Sequence, residues 1–177
     1  MSDLLLICGS LRGASVNRKL AAEAGRLHGG AVAWGDIRMP LYDGDAEDRD
    51  GPPPEAAALA RAIGEASAIL IATPEYNQSF PGGLKNALDW ISRIEGRPFE
   101  DKPVGIASAT AGRAGGARAQ YALRLALTPF RPRLLTAPEV LVAAAHEAFG
   151  EDGRLADARY QKALSALVEA LRAEAAR

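Results

Sequence analysis

Three short stretches, "LLLIC" (4–8), "AILIA" (68–72) and "VGIASA" (104–109), carry apolar or small residues at consecutive positions instead of alternate ones. A strand with one wet face alternates apolar and polar side chains. A strand without that alternation belongs in a sheet covered on both faces, which in practice means a parallel sheet between helices. Two more regions, "AVAWGDI" (31–37) and the divided "LLTAPEVLV" (134–142), raise the expected strands to five. Helical spacing fills the intervals: Val16, Leu20, Ala24 and Leu27 share one face, and Leu84, Leu88 and Ile91 share another. Tyr160, Leu164, Leu167 and Leu171 repeat the pattern near the carboxyl end. Successive parallel strands need such crossovers, at about 30 residues per unit. The 177 residues hold five of these units and leave little room for a second core. The chain is therefore expected to form a single doubly wound α/β domain over 1–177.

Composition narrows what such a domain can serve. A formal net charge of −1 provides no global field to draw in nucleic acid or an anionic membrane. The opening "MSDLLLICGS" is too short in apolar residues to span a bilayer and lacks the basic flank of a signal peptide, so a buried strand and a cytoplasmic location are expected. One cysteine, Cys8, excludes an internal disulfide, and two histidines, His28 and His146, argue against an all-protein zinc site. No metal is expected, and Cys8 reads as a small core residue. The segment "LYDGDAEDRDGPPPEAA" (41–57) sets five acidic residues before three prolines. It is expected to be a solvated connection with a Pro-rich helix start, a lid over a ligand being the alternative. The last helix is expected to start near Asp157 and to pack on the sheet.

In an open parallel sheet, ligands bind beyond the carboxyl ends of the strands, near the point where strand order reverses. Three such ends carry polar or glycine-rich sequence. The first, "CGSLRGASVNRKL" (8–20), has neither the G-x-G-x-x-G of a dinucleotide turn nor the G-K-[ST] of a P-loop. It offers Ser10, Arg12, Ser15 and Asn17 before a helix N-terminus, a donor set suited to one phosphate monoester. The plainer alternative makes Ser15 a helix cap and Arg12 a surface charge. The second end is "PEYNQSFPGGLKNALDW" (74–90) and the third "SATAGRAGGARAQ" (108–120), whose glycines permit close approach to a flat ligand. A phosphate at one end and a broad planar group at the other describe flavin mononucleotide, FMN. A flavodoxin-like strand order, 2-1-3-4-5, would bring the three loops together.

The motifs "GSLRGASVN", "PEYNQSFPGGLKNALDW" and "SATAGRAGGARAQ", in this order, resemble the NADPH-dependent FMN reductase family, which includes flavodoxin-like quinone, chromate and azo-dye reductases. The resemblance implies that Ser10, Arg12, Ser15, Val16 and Asn17 hold the FMN phosphate. It implies that Pro74, Glu75, Tyr76, Asn77 and Ser79 border the isoalloxazine ring and ribityl chain, and that Ser108 and Gly112 flank the ring. NADPH or NADH would supply electrons to a small acceptor such as a quinone, free flavin, azo compound or oxidised metal anion. The family also implies a homodimer or homotetramer, for which the helix at 117–130, with Arg118, Tyr121 and Arg124, is a candidate interface. Trp90 is expected in the core or at a subunit contact. No catalytic side chain is expected, because the flavin performs the chemistry and the protein sets position and access. No G-x-S-x-G elbow is present, and neither histidine lies in a strand-end motif. One rival is a flavodoxin-type electron carrier, which would need a more acidic docking surface than a net charge of −1 provides. Another is a phosphate-ligand binding module without redox function.

Overall fold

A computed structural model describes residues 3–177. The elements run β1 (Leu4–Cys8), α1 (Val16–His28), β2 (Val32–Gly35), α2 (Gly44–Asp50), α3 (Pro54–Glu65), β3 (Ala68–Thr73) and α4 (Gly82–Ile91). There follow β4 (Pro103–Ala109), α5 (Ala117–Leu127), a 3₁₀ turn (Thr128–Phe130), β5 (Arg133–Leu134), β6 (Val140–Val142) and α6 (Ala158–Ala175). All strands are parallel, in the order β2-β1-β3-β4-β5, with β6 also paired to β4. The fifth position is thus shared. β5 pairs with Pro103 and Val104 at the start of β4, and β6 with Ala107 to Ala109 at its end. The division seen in "LLTAPEVLV" is this break between two short strands.

Every residue of β1, β3 and β4 is buried, as their unbroken small and apolar sequence requires. Period-two alternation sends Leu4, Leu6, Leu70 and Ala72 to the side covered by α1 and α6. Leu5, Ile7, Ile69 and Ile71 point to the side covered by α3, α4 and α5. Each fully buried leucine or isoleucine contributes about 1.5–3 kcal/mol relative to exposure. At Gly105 the helix layer comes close: a Cβ there would stand 3.1 Å from Leu171 and 3.2 Å from Leu167. α6 starts behind Asp157, whose carboxylate accepts from the Arg159 N–H, at the residue the sequence indicates.

Two expectations need correction. The run 31–37 is not apolar on both faces of a covered strand. β2 is the sheet edge, with Val32 38% and Trp34 39% exposed, and the Arg18 guanidinium lies 4.3 Å from the Trp34 ring centre. The segment 41–57 is not a plain connection either, because its acidic half forms α2 behind an Asp43 cap before α3 begins at Pro54. It is tied down by α4. Asn86 Nδ2 and Trp90 Nε1 both donate to the Pro40 carbonyl at 2.9 Å, and the Tyr42 N–H donates to Asn86 Oδ1 at 2.8 Å. Tyr42 packs edge-on against Trp90, ring centres 5.0 Å apart. Asn86 and Trp90 therefore serve the crossover, and Trp90 is 2% exposed within the subunit. Among the described residues no helix is long and apolar enough to cross a membrane.

Candidate cofactor site

The loops after β1, β3 and β4 meet at the carboxyl edge of the sheet because these three strands are neighbours. In the first loop Gly9 donates its N–H to Ala72 on β3, and a Cβ there would stand 2.9 Å from Thr73 Oγ1. The chain then climbs to Ser15, the N-cap of α1, whose hydroxyl oxygen accepts from the Asn17 N–H at 3.2 Å. That bond uses the Ser15 oxygen as acceptor and leaves its hydroxyl proton uncommitted. Ser10 Oγ accepts from the Arg12 N–H, and the exposed Arg12 guanidinium has no ion-pair or hydrogen-bond partner among the described residues. The Val16 N–H is likewise unpaired among them. The first turn of α1 contains no acidic residue to offset its positive pole. Hydroxyl, guanidinium and amide donors at an uncompensated helix start fit a phosphate.

Asn17 stands apart from this set. Its side chain is 1% exposed and grips the backbone of Ala109, Nδ2 donating to the carbonyl at 2.8 Å and Oδ1 accepting from the N–H at 2.9 Å. The side chain joins the start of α1 to the end of β4 and does not reach outward. Cys8, 5% exposed, lies below the loop with Sγ 4.0 Å from Ser15 Oγ, in the core position expected.

The second loop leaves β3 through buried Pro74 and folds into a tight turn, Tyr76 and Ser79 exchanging N–H···O bonds of 2.8 and 3.0 Å. Its two central residues, Asn77 (φ 50°) and Gln78 (φ 66°), both lie in the left-handed region, the geometry of a type I′ turn. Tyr76, 53% exposed, borders the opening between loops. Glu75 turns sideways. Its Oε2 accepts from the Arg118 and Ala119 N–H groups at 3.2 and 3.4 Å, and Oε1 lies 3.5 Å from the Arg118 guanidinium.

In the third loop Ser108 is fully buried. Its hydroxyl donates to the Gly115 carbonyl and accepts from Gln120 Nε2. Gly112 is exposed and its Cβ position is open apart from Thr110 Oγ1 at 4.0 Å. Gly115 (φ 58°) and Gly116 (φ 92°) are glycines by necessity: a Cβ would stand 2.6 Å from the Leu141 carbonyl carbon and 2.7 Å from Ser108 Cβ, respectively. Sequence reading missed Gln120, which is 1% exposed and donates from Nε2 to Ser108 Oγ and the Val140 carbonyl, each at 2.9 Å. A signal was present. Gln120 falls on the buried face with Leu123 and Leu127, a polar residue on an apolar stripe.

The site thus gathers Ser10, Arg12, Ser15 and Val16 at one end, and Pro74, Tyr76, Asn77, Ser79 and Gly112 at the other. Asn17, Glu75 and Ser108 sit among them with side chains engaged by protein. A cleft of 680 Å³ between α4 and α5, lined by Lys85, Asp89, Phe99, Ala126 and Phe130 among others, opens near the amino ends of β4 and β5. It is separate from the three loops.

Residues 2–148 match the model of the family described as NADPH-dependent FMN reductase. The chain is 42% identical over 177 residues to an NAD(P)H-dependent FMN reductase of Pseudomonas aeruginosa, covering 97% of this chain and 95% of that one. It is 38% identical over 143 residues to a quinone reductase of Escherichia coli strain K12, covering 78% and 76%. Among solved structures, it is similar to the flavoenzyme NAD(P)H:(acceptor) oxidoreductase FerB of Paracoccus denitrificans. The TM-score is 0.88 with 30% identity, covering 99% of this chain and 98% of that one.

Proposed function

The chain belongs to the NADPH-dependent FMN reductase family, and from this we propose an oxidoreductase that uses bound FMN to carry electrons from NAD(P)H to a small acceptor. One observation carries the reading. The start of α1 presents the free Arg12 guanidinium, the Ser10 and Ser15 hydroxyls and the unpaired Val16 N–H, beside two loops open to a flat group. When bound, FMN would supply the redox chemistry between the nicotinamide donor and the acceptor.

The residues have separable duties. Arg12, Ser10, Ser15 and the Val16 N–H hold the phosphate, neutralising its charge with charge-assisted bonds. The Tyr76–Ser79 turn offers main-chain groups and one aromatic face to the ring system, with Pro74 at its base. Gly112 borders the ring from the third loop, where the lack of a side chain permits close approach. Asn17 and Ser108 act behind this surface, holding the loops in place. None of these groups need gain or lose a proton, and the open edge admits donor and acceptor in turn.

The E. coli relative is a quinone reductase, so a quinone is the first acceptor to test. Purified protein is mixed with FMN and its visible spectrum recorded, then NADPH and NADH are added separately without oxygen, followed by a benzoquinone. Flavin bands that bleach with a donor and return with the quinone are expected. Absence of FMN binding overturns the reading. The subunits associate as a homodimer or homotetramer through α5, where Tyr121 and Leu125, one turn apart, are 60% and 76% exposed. Sedimentation of Leu125→Glu against wild type tests this, a shift to monomer being expected.

A further inference from the structure

α5 starts without a cap of its own. Its N-cap position is Gly116, which has no side chain to offer, and its first turn contains no acidic residue. The amides that a cap would satisfy are those of Arg118 and Ala119. Both donate instead to Glu75, which is 43 residues from Arg118 along the chain and belongs to the second loop. The Arg118 guanidinium faces the other oxygen of the same carboxylate at 3.5 Å. Glu75 is 17% exposed at its side chain, so this is a partly desolvated contact and not a loose surface pair.

The first turn of α5 is itself fixed to the sheet. Gln120 donates to Ser108 Oγ on β4 and to the Val140 carbonyl on β6, and Ser108 donates onward to the Gly115 carbonyl. Through the first turn of α5, Glu75 is thus linked to Ser108 and the third loop by a chain of hydrogen bonds. Directly after Glu75 the chain enters the Tyr76–Ser79 turn, whose left-handed central residues leave it little freedom. Glu75 thus bridges the second loop and the start of α5, the element that follows the third loop.

We infer that Glu75 is a positioning residue: it caps α5 from the neighbouring loop and so fixes the two walls of the flavin site, without itself touching the ring. The inference rests on the FMN reading above and assigns Glu75 a different duty from the ring contact that the family resemblance implies. Gln at this position keeps an acceptor oxygen for the two amides, and Ala keeps none.

The test uses the full chain stripped of flavin, as wild type, Glu75→Gln and Glu75→Ala. Amide hydrogen exchange at Arg118 and Ala119 is measured first, then FMN affinity from quenching of flavin fluorescence. Glu75→Ala should speed exchange at both amides and weaken FMN by about tenfold, as loss of a helix cap predicts. Glu75→Gln should hold both within about threefold of wild type, since the acceptor survives. Unchanged exchange in Glu75→Ala, or equal FMN affinity in all three proteins, overturns the inference. So does a Glu75→Gln protein that loses FMN as Ala does while its two amides stay protected, because the charge would then be acting on the flavin. Wild type that binds no FMN overturns the underlying reading, and is distinguishable from failure of the clamp alone, in which wild type binds and Glu75→Ala binds as well.

Discussion

The two ends of the site are built on opposite plans. At the start of α1 three polar groups are free: Arg12 and the Val16 N–H lack partners among the described residues, and Ser15 keeps a proton to donate. Around the second and third loops two side chains are already engaged, Glu75 with α5 and Ser108 with Gly115 and Gln120, and Asn17 of α1 is committed to Ala109 at the end of β4. A phosphate is compact and charged, so side chains can grip it, and an exposed one such as Arg12 waits unpaired in water at little cost. A flat ring needs a slot of constant width, which backbone provides once side chains have locked it. On the proposed reading, one end binds with side chains and the other uses them as struts.

The sharpest way to break this contrast is to damage a strut and ask which part of the ligand notices. Riboflavin is suited to that question, because it keeps the ring and lacks the phosphate. Gly115→Ala forces a Cβ to within 2.6 Å of the Leu141 carbonyl carbon at a left-handed φ of 58°. Backbone strain and overpacking together should cost about 3 kcal/mol in urea unfolding. Riboflavin and FMN affinity should fall by the same factor.

Asn17→Ala should come next, at about 2 kcal/mol, because it leaves the Ala109 N–H and carbonyl without their partners in a buried place. This residue ties the phosphate end to the third loop. Its loss should weaken FMN and riboflavin alike, where a direct phosphate ligand would spare riboflavin. Arg12→Ala is the reverse case. Stability should stay within about 0.5 kcal/mol, as for an exposed side chain without packing partners. FMN affinity should drop by about tenfold or more, less at high salt, with riboflavin unaffected. Equal loss of both ligands would show that Arg12 does not serve the phosphate.

The same contrast explains what could be read from sequence. β1, β3 and β4 were legible because burial on both faces removes polar alternation, and the site's place followed from where those strands end. Edge strand β2 escaped the rule, since its outer positions face water, and α2 was hidden by acidic residues with no buried face. The candidate phosphate groups at α1 could be read for a related reason: Ser10, Arg12 and Ser15 lie close together along the chain. The struts could not. Asn17 meets Ala109 across 92 residues and Glu75 meets Arg118 across 43, so only the folded sheet reveals that their side chains are taken. A polar residue in a motif reads as a ligand until its partner is known.

The smallest effect expected is the most direct test of whether the ring end works through backbone. Gln78 occupies the second central position of the Tyr76–Ser79 turn at φ 66°, a conformation that glycine adopts without penalty. Its side chain is exposed and makes no hydrogen bond among the described residues. Gln78→Gly should therefore stabilise the fold by up to about 1 kcal/mol, offset in part by the greater freedom of glycine in the unfolded chain. If the turn presents main-chain groups to the ring, its geometry survives and affinity for FMN and riboflavin stays within about twofold, a change of under 0.5 kcal/mol. A larger loss of both ligands without loss of stability would place the Gln78 side chain on the flavin. The ring end would then share the plan of the phosphate end, and the contrast between them would fail.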